Sequence, residues 1–465
     1  MKQLLSLRLL LLLCFCGLWF APAQATHLRG GYITYTTDSQ NPRQYLFRMV
    51  IFRDVSGVQI GDKVSIFDGL QQVEVSKQED TDLGDNISRT SYTWSTSYPA
   101  DGTYTVTWTG INRNSSIINV AQPSDQHSLL LRTTVTVSAL NPDRHGISFL
   151  NPSSSEAYVG TPFKYNLQAY DADGDSLVYT LTSPYRMGTT GTGQAVPGYT
   201  LPSGISVNQF GEINWPNPST RGEYAFAVEV KAYRNRRLVS TSINDLQVLV
   251  RNAAEAPDFT LTNQNRLITA TGLYILAKPE SPLKLSFFVR NPTQQTLQVL
   301  NPVTELQEPH LVNQSSLQVI ERDSADGIVK EIIFTPDNSL RRGWPYALSI
   351  RGELSSSGNT TTAYKREFVY LLIADQLSTS LPDLLPELAH LLYPNPAGRH
   401  FMIEAPAAAG AVFRLYALDG RLVQEQLLQP GKNKVLRKSD LSTGLYTYSI
   451  SSEGYRSRTG KLFFR

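Results

Sequence analysis

The sequence predicts an all-β protein, a tandem of antiparallel β-sandwich modules followed by a smaller sandwich at the C-terminus. Three observations carry this. Apolar residues recur at every second position, as in Tyr104, Val106 and Trp108 or Tyr224, Phe226, Val228 and Val230, the period of a strand with one buried face. These runs are short, and clusters of Gly, Pro, Asn and Asp separate them, which is the turn chemistry of antiparallel sheets. Helical periodicity is nearly absent after residue 25. The 465 residues are 10% aromatic and 18% charged, with a formal charge of +2. That is ample for packed cores, and it excludes a nucleic-acid binder working by bulk charge and a largely disordered chain.

Residues 1–25 read as a secretory signal peptide. Lys2 and Arg8 precede the apolar residues 9–20, and Ala23-Gln24-Ala25 supplies the small-residue pattern, so cleavage is expected between Ala25 and Thr26. A membrane anchor is the other reading, for which twelve apolar residues are short. Cys14 and Cys16 lie in this segment. Its removal leaves no thiol, excluding cysteine catalysis, disulfides and zinc–thiolate sites. No later run reaches 18 apolar residues, so no transmembrane helix is expected.

Three composition breaks divide the rest. A first module spans 26–147, a second 148–252 and a third 253–375. The Pro-interrupted stretch 376–392 is a linker, and a last module covers 393–465.

The first module opens Thr26-His27-Leu28-Arg29-Gly30-Gly31-Tyr32-Ile33-Thr34-Tyr35 and continues to Phe52-Arg53-Asp54-Val55-Ser56-Gly57. Physically this is a pair of strands with a turn at Ser56-Gly57. It resembles the N-terminal region of gliding-motility adhesins and related surface proteins, which implies adhesion or motility. Val55 stands where that family commonly has cysteine.

In the second module Asp171-Ala172-Asp173-Gly174-Asp175 follows a strand. Carboxylates at Asp171, Asp173 and Asp175 can converge in a Gly-containing turn, and hard oxygen ligands suit calcium. The positions that would be the sixth and twelfth of an EF-hand loop are Ser176 and Thr182, which excludes that motif. A solvated acidic turn is the alternative. With Gly160-Thr161-Pro162-Phe163, Gly211-Glu212-Ile213 and Gly222-Glu223-Tyr224, the pattern resembles cadherin-like and Ig-like bacterial repeats. The following Arg251-Asn252-Ala253-Ala254-Glu255 lacks the acidic linker of cadherins, which puts an interdomain calcium site in doubt.

The last module begins Tyr393-Pro394-Asn395-Pro396. It then carries the hairpin signal Asp419-Gly420, the run Asp440-Leu441-Ser442-Thr443-Gly444-Leu445-Tyr446, and finally Gly460-Lys461-Leu462. This order resembles the type IX secretion system C-terminal sorting domain. The resemblance implies handling by the type IX machinery, export across the outer membrane, removal of the domain and, often, anchoring to surface lipopolysaccharide. From Tyr393 onward there are eleven basic and five acidic residues, so a basic terminal module follows an acidic body.

The six histidines are scattered, and H-E-x-x-H, G-x-S-x-G and phosphate-loop motifs are missing. The sequence therefore reads as a non-catalytic cell-surface binding or adhesion protein, with glycans or other surface proteins as partners. A surface hydrolase with an unrecognised catalytic module and a structural spacer are the alternatives. Trp94, Trp108 and Trp344 read as core residues or, alternatively, as sugar-stacking platforms.

Overall fold

The computed structural model describes residues 27–37, 40–57, 59–140, 142–189, 191–235, 237–264, 267, 269–270, 274–311, 317–356, 361–376, 391–405, 411–417, 421–429, 431–451 and 458–465. The expected signal-cleavage residues Ala25 and Thr26, both cysteines and most of the expected linker lie outside them. The architecture is all-β, as the period-2 pattern requires, with several mostly antiparallel sheets and only short 3-10 turns among the described residues.

Seven strands belong to the first module: Leu28–Thr37, Gln44–Asp54, Lys63–Phe67, Gln72–Asp82, Ile87–Ser97, Gly102–Gly110 and Leu129–Val137. Alternation buries Tyr45, Phe47, Met49 and Ile51 from the second of these against Ile33, Trp94, Trp108 and Leu131. The module does not end at its own last strand. Strand Leu129–Val137 pairs with Arg237–Arg251 of the second module at Thr133↔Ser242, and Gly31 of the first strand pairs with Asp245 of that same strand. The pairings thus close into a ring of eight antiparallel strands, the eighth contributed from far downstream. The chain breaks in composition near residue 147, but the hydrogen-bonded sheet continues across that point.

Strand Arg237–Arg251 uses both of its edges. On one it runs along Gly222–Arg234 for its whole length. On the other it meets Leu129–Val137, then Leu28–Thr37, then Ser154–Tyr158 in parallel. Two-sided pairing satisfies its backbone along both edges, and its residues are buried almost throughout. Double glycine at 30–31 fits this crossing. A Cβ on Gly30 would lie 2.0 Å from the Asp245 carbonyl oxygen, and one on Gly31 would lie 2.3 Å from that of Val50.

The second core, with Phe226, Val230, Leu246, Val248 and Trp215 at its centre, takes in Tyr32, Val50 and Phe52 from the first module. It also takes in Phe368, Tyr370 and Leu372 from the third. In the third module a four-stranded and a six-stranded sheet enclose Leu285, Phe287, Ile332, Leu348 and Leu371. Strand Thr361–Ile373 alternates: Leu371 and Ile373 point into that core, while Tyr364, Phe368 and Tyr370 face the second module. The last module packs a three-stranded sheet and a four-stranded sheet over Phe401, Phe413, Val435, Ile450 and Phe464. Its first strand, Leu391–Tyr393, begins two residues before the expected boundary.

Candidate functional sites

The acidic turn of the second module is not an isolated loop. Asp143, which precedes it by nearly thirty residues, joins Asp173 and Asp175, and their ligand atoms lie within 4.8 Å of one another. Arg234, at the end of strand Gly222–Arg234, reaches into the same group. Its Nε and Nη2 donate to the two oxygens of Asp175 at 2.9 and 2.7 Å, Nη2 also donates to Asp173 Oδ2 at 2.7 Å, and Nη1 donates to the Pro142 carbonyl at 2.9 Å. Nη2 stands 3.4 Å from Asp143 Oδ1. The Arg144 N–H donates to Asp173 at 2.7 Å, and His145 Nδ1 is 2.7 Å from Asp173 Oδ1. Tyr35 donates its hydroxyl proton to Asp143.

Asp171 stands apart from these three. Its Oδ1 accepts from the backbone N–H of Asp173 at 2.9 Å, an Asx turn, while its buried Oδ2 has no hydrogen-bond partner. The electrostatics differ accordingly. Burial, then Asp143, Asp175 and Asp173, push the Asp171 carboxyl well above the usual range. Burial likewise drives Asp143 up to about 7, against the Tyr35 hydrogen bond. Burial would also raise Asp173, but His145, the Arg144 N–H and Arg234 outweigh it and hold the group at about 2. The Arg234 guanidinium thus sits among Asp143, Asp173 and Asp175, while burial disfavours the charged form of Asp171 and Asp143. Asp171, Asp173 and Asp175 were legible as a group from their spacing. Asp143, His145 and Arg234 were not, because each comes from a distant stretch of chain.

The two motif stretches of the first module turn out to be one structure. Leu28 pairs with Arg53, the Asp54 N–H donates to the His27 carbonyl at 3.1 Å, and Arg29 donates to Asp54 Oδ2 at 2.5 Å with both side chains buried. Asp54 Oδ1 accepts from the Ser56 backbone at 2.9 Å and from Asn86 at 2.5 Å. These residues fasten the strand pair to the following turn.

In the terminal module the first and last motifs interlock. Asn395 Nδ2 donates to the Lys461 carbonyl at 2.8 Å, and its Oδ1 accepts from the Phe463 N–H at 3.0 Å. The Ala397 N–H donates to the Phe463 carbonyl at 2.8 Å. Pro394 and Pro396 flank Asn395, and Tyr393 is 39% exposed on the opening strand. Leu441 and Tyr446 are buried, the Tyr446 hydroxyl donates to the Ser442 carbonyl at 3.0 Å, and Asp440 is exposed before the strand that starts at Gly444. Leu462 is fully buried, Lys461 is exposed, and a Cβ on Gly460 would meet the Tyr448 ring at 2.4 Å. Asp419 and Gly420 lie outside the described residues. Trp94, Trp108 and Trp215 are buried, whereas Trp344 is half-buried beside Arg342.

Two family models match parts of the chain. Residues 391–464 match the family described as "Secretion system C-terminal sorting domain", and residues 146–245 match the one described as "Putative Ig domain". No curated protein matches. Among solved structures, Sidekick-1 immunoglobulin domains 1–4 align at 11% identity over 90% of this chain and 93% of theirs, with a TM-score of 0.17. Zebrafish RET cadherin-like domains 1 to 4 align at 10% identity over 67% and 71%, with a TM-score of 0.16. Such low scores add nothing to the fold, which rests on the sheets themselves. No helix among the described residues is long and apolar enough to cross a membrane. The protein combines an Ig-like module with a type IX secretion sorting domain and is exported to the cell surface or the extracellular space.

Proposed function

We propose that the mature protein is a non-catalytic surface binding protein in which the three modules before the sorting domain act as one rigid presenting unit. The observation that carries this is the continuity of the array. The first and second modules share strand Arg237–Arg251, and the second and third meet through tightly bonded side chains. The Glu156 N–H donates to the Tyr364 hydroxyl at 2.7 Å, and the Tyr370 hydroxyl donates to Glu212 at 2.9 Å. Tyr370 also stacks on Phe210 with centroids 4.7 Å apart. Interfaces of this kind hold modules in a fixed relation, which suits a protein that displays a surface at a distance from the membrane. Adherence of cells with and without the gene to glycan-coated and protein-coated surfaces tests the reading. Equal adherence on every surface, together with measurable hydrolysis of a polysaccharide or peptide, would replace it with the hydrolase alternative. Equal adherence without hydrolysis would leave the spacer.

A second reading gives the acidic cluster a calcium ion. The convergence of Asp143, Asp173 and Asp175 and the unpaired Asp171 Oδ2 favour it. Against it, the Arg234 guanidinium already supplies positive charge to three of these carboxylates.

A further inference from the structure

A cavity of about 230 Å³ lies where the second module meets the third, walled by Tyr158, Phe163, Tyr165 and Tyr364. Arg366, on the interface face of strand Thr361–Ile373, lines it. This guanidinium has no ion-pair partner among the described residues. Its one hydrogen bond is a long one, 3.4 Å from Nη1 to Asn151 Oδ1, and its buried Nε has no partner. Nearby arginines are treated differently: Arg351 pairs with Asp85 and Glu353, and Arg251 with Glu156. Arg366 is half-buried; a cation partly withdrawn from water with no paired anion is costly, and a bound anion relieves the cost. Burial, and to a lesser degree the neighbouring Arg351, lower the Arg366 pKa, while Tyr165, Tyr364 and Glu353 work the other way without restoring it.

The walls narrow the chemistry. Four aromatic rings with Ala157, Pro162 and Ala256 make the lining mainly apolar, while Lys164 stands on it with Arg366, and Lys365 on the same wall is already paired with Asp258 at 3.0 Å. The acids of the lining are Glu156, neutralised by Arg251, and Glu367, whose carboxyl burial pushes up. We propose that this cavity is a binding site for a carboxylate on a compact apolar body, the C-terminal carboxylate of a peptide ending in an aromatic or aliphatic residue. Guanidinium and carboxylate are matched for two parallel hydrogen bonds, and the rings receive the side chain next to it. The site deepens the surface-binding reading by naming a ligand, but it is tested in solution, so it can fail while adherence stands.

The test is calorimetric titration of the mature protein with N-acetylphenylalanine, N-acetylphenylalanine amide and glucuronate at fixed ionic strength. The acid is expected to bind, the amide to bind on the order of tenfold or more weakly, and Arg366→Met to weaken the acid by a similar factor. The acid–amide comparison needs no variant. If Arg366→Met does not fold, Lys164→Met, which removes the other lining cation, provides a milder loss. Equal binding of acid and amide, or no binding of either, overturns the proposal. Binding of glucuronate with none of N-acetylphenylalanine overturns the apolar body and assigns the cavity to an acidic sugar.

Discussion

Arg113 and Asp245 form a two-bonded ion pair, at 2.8 and 2.6 Å, with both side chains at most 2% exposed. The arginine lies in the loop after strand Gly102–Gly110, and the aspartate sits on the strand that closes the first module's ring, opposite Gly31. The pair therefore pins the two modules at their crossing. Arg113→Met and Asp245→Asn, each leaving one buried partner uncompensated, are expected to cost about 3–5 kcal/mol, measured by urea denaturation of the mature protein. The double substitution should cost less than the sum. Additive losses would show that the two residues do not act as a pair.

Ring closure makes a second expectation. Residues 27–147 expressed alone lack the eighth strand and leave Leu129–Val137 with an open edge, so they should aggregate or remain unfolded. Residues 27–376 should melt cooperatively. A folded, monomeric 27–147 fragment by circular dichroism and sedimentation would contradict the shared-strand description.

The acidic cluster distinguishes its two cations directly. With Arg234 as the resident cation, the melting temperature of the mature protein should be the same in excess calcium and in EDTA. Arg234→Gln should melt lower and recover part of the difference on adding calcium, because ligand binding to the folded form alone raises its stability. A calcium-dependent rise in the unsubstituted protein would assign the cluster to the metal.

Glu305 predicts a pH dependence in the third module. Burial would raise its pKa, but Arg342, bonded to both oxygens at 2.9 and 2.7 Å, and His310 hold it below the ordinary 4.5. A carboxyl with a depressed folded-state pKa stabilises the fold fully above its unfolded value. That stability is lost as pH falls through the folded value. Unfolding free energy should therefore decline below about pH 4.5, and Glu305→Gln, less stable at neutral pH, should show a shallower decline. Parallel curves for the two proteins would remove Glu305 from the explanation.

Sorting should depend on the link between the first and last motifs. Asn395→Ala removes two bonds to the closing strand, costing about 1–3 kcal/mol, and is expected to reduce surface display and leave protein in the periplasm. Mass spectrometry of the surface fraction should find the sorting domain removed by cleavage in the Pro-interrupted linker between Asp375 and Leu392. Intact Arg465 on the cell surface would contradict removal.

Strands, the Ig-like module and the sorting domain were readable because their signal is local. Alternation of Tyr224, Phe226, Val228 and Val230 declares a buried face within a few residues, and the terminal motifs stand in a fixed order. What joins the modules was not readable in that way. The edge on which Arg237–Arg251 accepts three different partners, the approach of Arg234 to Asp173 and Asp175, and the face of Tyr364 and Tyr370 all depend on pairings over long stretches of chain. A single sequence records no such pairing. Gly30-Gly31 was the one visible trace of the crossing, since adjacent glycines inside a strand mark a close backbone approach.

The late arrival of the closing strand bears on how the protein is made. Asp245 follows Gly31 by more than two hundred residues, so a chain emerging amino-terminus first displays seven strands well before the eighth is available. Contacts this distant form slowly, and unpaired edges left waiting invite association with neighbouring chains. Ring closure needs the chain through Asp245, and until then the edges of Leu28–Thr37 and Leu129–Val137 stand open.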